Sequence, residues 1–127
     1  MAIRAVRGAT TVPKNDKDEI IAASQEMLRE IIEKNDIDTA DMVDVTFTVT
    51  KDLTKVFPAA SVRRMGITNV PLLDMAAPDI EGALEKCIRV IVRFNTDKTN
   101  DDIYPVYLRG AKALRPDIIA KQRGETK

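Results

Sequence analysis

An arginine lies inside an otherwise apolar segment, and this combination limits what the chain can form. Residues 87–94 read Cys-Ile-Arg-Val-Ile-Val-Arg-Phe, a β-branched run typical of a packed strand. Because side chains alternate in a strand, every second residue from Ile88 to Phe94 shares one apolar face, and Arg89 lies on the other. A partly buried guanidinium requires an anionic partner. The segment therefore predicts either a structural salt bridge or an anion-binding site at Arg89.

Histidine is absent from the 127 residues. Its absence removes the commonest general base, the commonest zinc ligand and every Ser-His or Cys-His nucleophile pair. Cys87 is the single cysteine, which excludes an internal disulfide and favours a small core residue over a nucleophile. If the protein is an enzyme, we therefore expect chemistry that avoids proton transfer.

Length and composition exclude several classes of protein. The length predicts one domain, and the sequence contains no internal repeat. The formal net charge of zero argues against a nucleic-acid or anionic-membrane partner. The glycines are isolated, so no dinucleotide or phosphate loop is predicted, and the acidic clusters are typical of solvated surface. We expect no metal and no cofactor. Since neither a leader nor a membrane-spanning stretch is evident, we expect a cytoplasmic location.

Strand and helix patterns alternate along the chain and predict an α+β domain. Ile3–Val12 is predicted as a strand, and a helix is predicted between Asp16, which has capping-box spacing to Glu19, and Asn35. Other predicted elements are an amphipathic strand at 43–50, a short helix at 58–65, an extended segment at 69–75, the strand at 87–94, a loop at 96–102, and short strands at 106–108 and 112–114. Residues 1–118 form the predicted domain, and 119–127 a flexible tail.

Three arginines accompany apolar extended segments. Arg7 ends the first strand, Arg89 lies in a central one, and Arg115 precedes a proline. Each guanidinium is a planar fork that matches a carboxylate. Together with Tyr107, these side chains predict a ligand that carries more than one carboxylate.

Four strings of residues resemble the monofunctional, homotrimeric class of chorismate mutase. They occur in the same order as in that family and lie at 3–12, 48–59, 86–90 and 106–117, so the resemblance spans nearly the whole chain. It implies a mixed β-sheet packed with helices in each subunit. It further implies that three subunits form a pseudo-α/β-barrel trimer with active sites in the clefts between subunits, unlike the all-helical chorismate mutases.

The resemblance implies an isomerase that converts chorismate to prephenate in phenylalanine and tyrosine biosynthesis, the outflow of the shikimate pathway. This intramolecular Claisen rearrangement needs neither a nucleophile nor a proton transfer, which agrees with the missing histidine. The enzyme holds the reactive conformer and stabilises the charge that develops on the ether oxygen. No cofactor is implied.

The resemblance also assigns roles to individual residues. Arg89 is expected to contact the ether oxygen and a substrate carboxylate, while Arg7 and Tyr107 bind carboxylates. The remaining pocket residues implied in the same subunit are Leu72, Leu73, Asp74, Ala77, Leu114 and Arg115, of which the last two begin a mobile segment over the ligand. The neighbouring subunit is expected to contribute Phe57, Ala59 and Arg63. For Arg63, an ordinary exposed helix charge is an equal alternative.

The chain departs from the family pattern at Ala77 and Asp74, and peripherally at Ala60, where the family can have a lysine. The family usually has a glutamate where this chain has Ala77, and a cysteine where it has Asp74. We expect Asp74 to replace the missing carboxylate, so that Arg7, Asp74 and Arg89 form the catalytic set. In the alternative, Asp74 is a loop charge, and the protein is a weakened or non-catalytic trimer that binds a dicarboxylate.

Overall fold

The computed structural model describes residues 1–124, in which five strands form one sheet. The strands are β1 (Ala2–Thr11), β2 (Met42–Val49), β3 (Leu72–Ala76), β4 (Cys87–Thr96) and β5 (Val106–Tyr107), and the α-helices are α1 (Lys17–Lys34), α2 (Ala59–Arg64) and α3 (Pro116–Gln122). Short 3₁₀-helices span Thr39–Asp41, Asn100–Asp102 and Arg109–Leu114. The predicted α+β class is confirmed.

The sheet is mixed and places β4 at its centre. The strand order is β3-β2-β4-β1-β5, with β4 antiparallel to β1 and β2, and with parallel pairing of β2 to β3 and of β1 to β5. Arg89 therefore has Ala9 on one neighbouring strand and Thr48 on the other as its register partners. A residue held by strands on both sides has little freedom to move.

Helix α1 packs on one face of the sheet and builds the core. It begins as predicted, because the Asp16 carboxylate accepts the Glu19 N–H at 3.1 Å. Met27 and Ile31 are fully buried. A Cβ on Gly8 of β1 would lie 2.7 Å from Cδ1 of Ile31, so glycine permits this close helix–sheet approach. Burying one such side chain contributes about 1.5–3 kcal/mol.

Two predicted strands differ from the structure. A register shift between Met42 and Asp44 leaves Val43 unpaired, so that Met42 and not Val43 occupies the core position. Residues 112–114 were predicted as a strand but belong to the 3₁₀-helix that begins at Arg109. That segment turns because Arg109 has a φ of 52° and the Gly110 N–H donates to Oγ1 of Thr11 at 3.0 Å.

The C-terminal segment folds back along the sheet edge at β5. Pro116 occupies the first turn of α3, and Nε2 of Gln122 donates to the Pro105 carbonyl at 2.7 Å. Helical structure thus reaches into the segment predicted as a tail, 119–127. Residues 125–127 lie outside the described residues, and the flexibility of the tail stays a prediction. Within residues 1–124, no helix is long and apolar enough to cross a membrane.

Candidate active site

The sheet face opposite α1 carries the predicted arginines. Val90 and Gly8 face α1, so strand alternation turns Arg89 and Arg7 toward the opposite face. Both arginines line a concavity of about 280 Å³, whose other walls include Thr46, Thr48, Pro78 and Ile91. The two arginines thus border one concavity, and their convergence on a ligand stays a prediction.

Arg89 has no anionic partner within residues 1–124. Its Nε atom is buried and makes no hydrogen bond, and none of the ion pairs in this part of the chain includes it. The prediction of a structural salt bridge at Arg89 is therefore wrong for the described part of the subunit. Since a buried unsatisfied donor costs about 1–3 kcal/mol, the arrangement favours an anion from outside the chain.

Tyr107 and Arg115 extend the same surface toward β5. The Arg7 guanidinium carbon lies 5.8 Å from the centroid of the buried Tyr107 ring. Arg115 interacts with Tyr107 and forms a bidentate pair with Asp117, with Nε–Oδ1 at 3.1 Å and Nη2–Oδ2 at 2.9 Å. Hydrogen bonding to Asp117 raises the pKa of Arg115. We call Arg7, Arg89, Tyr107 and Arg115 the arginine half-site.

Cys87 adjoins the arginine half-site without being a reactive thiol. Its side chain is buried, and burial raises the pKa of the thiol against the opposing effects of Arg89 and Arg7. A thiol whose pKa is raised stays protonated at neutral pH. The interpretation of Cys87 as a core residue is therefore confirmed.

Asp74 lies away from the arginine half-site in the same chain. Its register partner is Phe47, which is fully buried beneath the helices, so Asp74 points to the helical side of the sheet. The carboxylate accepts the Ala59 N–H at 3.1 Å, at the start of α2. Burial raises the pKa of Asp74, although this hydrogen bond and the Arg63 charge oppose the effect. The expected same-chain grouping of Asp74 with Arg7 and Arg89 is wrong.

Asp74 instead belongs with the residues expected from a neighbouring subunit. Asp74 and Phe57 line a second concavity of about 530 Å³, whose walls include Met75 and Ala76. Phe57 is 69% exposed, Arg63 is exposed, and Ala59 is buried at the start of α2. We call Phe57, Ala59, Arg63 and Asp74 the helix half-site. Within one chain, the strand register places it on the far side of the sheet from Arg89.

The other predicted pocket residues lie at the margins of the two half-sites. Leu73 is exposed on β3 beside Thr46, and Leu72 is half-buried against the core. Ala77 follows β3 and donates its N–H to the Val49 carbonyl at 2.9 Å. Leu114 is half-buried beside Tyr107. Their roles in a site stay predictions.

Several residues beside the arginines were missed in the sequence. Thr46 and Thr48 line the same concavity as Arg89, and Asp117 holds Arg115. The alternation of apolar and polar side chains along β2 could have indicated both threonines, since it places them on the polar face of the strand. Asp117 offered no local signal, because an acid two residues after an arginine is common on protein surfaces.

The fold is an α+β sheet whose face opposite α1 carries Arg7 and Arg89, with Arg89 in no ion pair among residues 1–124. A family model described as chorismate mutase type I matches residues 3–118. The chain belongs to this family, which confirms the resemblance that the sequence strings predicted.

Individual relatives agree with this assignment. The chain is 42% identical over 119 residues to chorismate mutase AroH of Bacillus subtilis (strain 168), covering 93% of this chain and 94% of that protein. It is 40% identical over 121 residues to chorismate mutase AroH of Thermus thermophilus, covering 94% and 99%. A solved chorismate mutase structure from Clostridium thermocellum aligns with a TM-score of 0.86 at 51% identity, covering 87% of this chain and 98% of that one.

Proposed function

We propose that the chain is an isomerase that rearranges chorismate to prephenate for phenylalanine and tyrosine biosynthesis. Family membership supports the reaction. The observation that carries the proposal is the buried, partnerless Nε of Arg89 beside Arg7. Chorismate is the substrate, no metal or organic cofactor takes part, and the protein works in the cytoplasm.

The chemistry suits a site made of hydrogen-bond donors. Within one chorismate molecule, the ether C–O bond breaks while a C–C bond forms, and partial negative charge grows on the ether oxygen. The Arg89 guanidinium donates to that oxygen, so it stabilises the transition state more than the bound substrate. Arg7, Tyr107 and Arg115 bind the carboxylates and hold the reactive conformer.

The complete site is proposed to form between chains. In one chain, the arginine half-site and the helix half-site lie on opposite sides of the sheet, as the partners of Arg89 and Asp74 show. A neighbouring chain that presents Phe57 and Arg63 would close the concavity around Arg89. In a closed trimer, every subunit lends one half-site to each of two clefts. The exposed Phe57 and Leu73 support such an interface.

Asp74 is proposed to supply the carboxylate that is missing at Ala77. In this arrangement it reaches the cleft from the neighbouring chain, facing the electron-poor ring of the transition state while the arginine half-site binds the opposite edge of the substrate. The support is its place in the helix half-site beside Arg63 and Phe57.

One observation favours a second candidate function. The Asp74 carboxylate already accepts the Ala59 N–H and so stabilises the start of α2. If this is its whole role, the site lacks a ring-facing carboxylate, and the protein is a weakened or non-catalytic trimer that binds dicarboxylates. The arginine half-site would still bind the anion.

Incubation of the purified chain with chorismate, with and without EDTA, distinguishes the two functions. Loss of the ultraviolet absorbance of chorismate with formation of prephenate, unaffected by EDTA, supports the isomerase. Calorimetric binding of chorismate without conversion supports the binding module. Activity that EDTA abolishes and a divalent ion restores would contradict the proposed chemistry.

A further inference from the structure

A carboxylate clamps the backbone where β4 begins. Asp52, in the turn that follows β2, accepts the Lys86 N–H at 3.0 Å with Oδ2 and at 3.2 Å with Oδ1. It also accepts the Thr50 hydroxyl at 2.5 Å, and Oγ1 of Thr50 in turn accepts the Cys87 N–H at 3.0 Å. The carboxylate and the hydroxyl thus bind two consecutive amides, those of Lys86 and Cys87, where the strand that carries Arg89 begins.

The clamped residue has a backbone conformation that a lysine rarely adopts. Lys86 has a φ of 46°, in the left-handed region. This conformation costs an L-residue with a Cβ about 1–2 kcal/mol, which surrounding contacts must offset. Besides the bond to Asp52, the Lys86 carbonyl accepts the Val12 N–H at 3.0 Å. Both peptide groups of the strained residue are therefore held.

The clamp lies close enough to Arg89 to determine where its guanidinium lies. Lys86 ends the turn, Cys87 is the first residue of β4, and Arg89 is two residues further on. The Cys87 thiol adjoins the Arg89 side chain. A relaxed Lys86 would redirect the chain at Cys87 and alter the pairing that sets Arg89 opposite Thr48.

We propose that Asp52 is a positioning residue for Arg89, acting through the left-handed conformation of Lys86. The inference rests on the proposed isomerase function and deepens it. Asp52 does not touch the substrate, so its loss affects the transition state through the Arg89 position and leaves carboxylate binding by Arg7 and Tyr107 in place.

The first test measures kcat and KM for chorismate in Asp52→Ala. Displacement of a catalytic donor by about 1 Å costs up to about 100-fold in rate, so we expect kcat to fall about 10- to 100-fold. We expect KM to change less than about threefold, since the other carboxylate contacts remain. Asp79→Ala is the matched control, because Asp79 is an exposed carboxylate that pairs with Lys51 beside Asp52. Its kcat should equal that of the unaltered chain.

The second test asks whether Asp52 acts through Lys86. Glycine adopts positive φ without the Cβ penalty, so Asp52→Ala combined with Lys86→Gly should recover most of the lost kcat. Asp52→Ala combined with Lys86→Gln removes the same lysine charge but keeps the Cβ, and should recover none. Thermal unfolding and sedimentation of each variant establish that the folded, assembled protein is assayed.

The outcomes separate this inference from the proposed function. An unaltered chain that does not convert chorismate would overturn the isomerase and this inference with it. An active chain whose Asp52→Ala variant keeps its kcat would overturn the inference alone. Equal rescue by Lys86→Gly and Lys86→Gln would also overturn it, because charge and not backbone conformation would then be the cause.

Discussion

Replacing Arg89 should remove catalysis without destabilising the subunit. The structure separates the two effects, because the buried Nε of Arg89 makes no hydrogen bond and no ion pair of the described residues contains this side chain. Most buried cations are paired, and removal of one member of a buried pair costs about 3–5 kcal/mol because the other charge is left without compensation. Among the described residues of one chain, Arg89 belongs to no ion pair that its replacement could break.

The expected magnitudes follow from this geometry. Arg89→Met keeps the aliphatic part of the side chain and removes the guanidinium. A buried donor without a partner destabilises the fold by about 1–3 kcal/mol, so its removal should leave the free energy of unfolding constant or raise it. Loss of a charged donor to the ether oxygen should lower kcat about 10²- to 10³-fold, equivalent to about 3–4 kcal/mol. Arg89→Ala should lose at least as much activity, and Arg89→Lys should be poor because an ammonium does not reproduce the planar fork.

The assay combines chorismate absorbance kinetics with denaturant unfolding of the same preparations. Arg93→Met is a suitable control, since Arg93 is an exposed arginine on the same strand and already pairs with Asp44. It should retain turnover. An Arg89→Met variant with unchanged kcat, or one that loses several kcal/mol of stability, would refute the reasoning and assign Arg89 to the structure of the fold.

Three further predictions concern cofactors, Asp74 and pH. Exhaustive chelation should leave turnover unchanged, and restoration of a lost activity by a divalent ion would contradict this. Asp74→Asn should lower kcat more than it raises KM. Asp74→Cys should be severely impaired, and adding Ala77→Glu to it should recover most of the lost activity. Intact turnover in Asp74→Asn would show that Asp74 does not replace the carboxylate missing at Ala77. Burial would raise the pKa of Asp52, but hydrogen bonds from Thr50 and Lys86 outweigh it and lower that pKa. Asp52 should therefore stabilise the fold above its unfolded pKa of about 3.9, and this contribution should disappear as the pH falls through the folded pKa. The free energy of unfolding of Asp52→Asn should differ from that of the unaltered chain at pH 7 but not at low pH.

Local patterns predicted most of the elements. The Asp16 cap, the α1 stripe and the Arg89 strand each depend on residues close together in sequence, so their periodicity was sufficient to predict them. The displacement of Val43 from the core was not predictable, because the register shift depends on the pairing of β2 with Phe94 on β4. The 3₁₀-helix from Arg109 likewise depends on a distant contact with Thr11.

The shared concavity of Arg7 and Arg89 was predictable from the sequence, whereas the position of Asp74 was not. Arg7 and Arg89 face one concavity because both strands alternate in the expected way. Asp74 lies only a few residues from Ala77, and nothing in that segment shows which face of the sheet it occupies. The parallel register that pairs Asp74 with Phe47 determines which face Asp74 occupies. Register between strands that are distant in sequence depends on how the whole sheet packs.

Complementation between two inactive variants tests the division of the site most directly. Arg89→Ala damages the arginine half-site, and Phe57→Asp damages the helix half-site. The fold should tolerate both changes, because Phe57 is 69% exposed and Arg89 forms no ion pair among the described residues. In mixed trimers of equal parts, about one cleft in four draws an intact half from each chain, and about a quarter of full turnover should return. Mixing Arg89→Ala with the Arg89→Ala, Phe57→Asp double variant should restore none. Full turnover by a stable monomer, or mixed trimers that stay inactive, would contradict an active site shared between subunits.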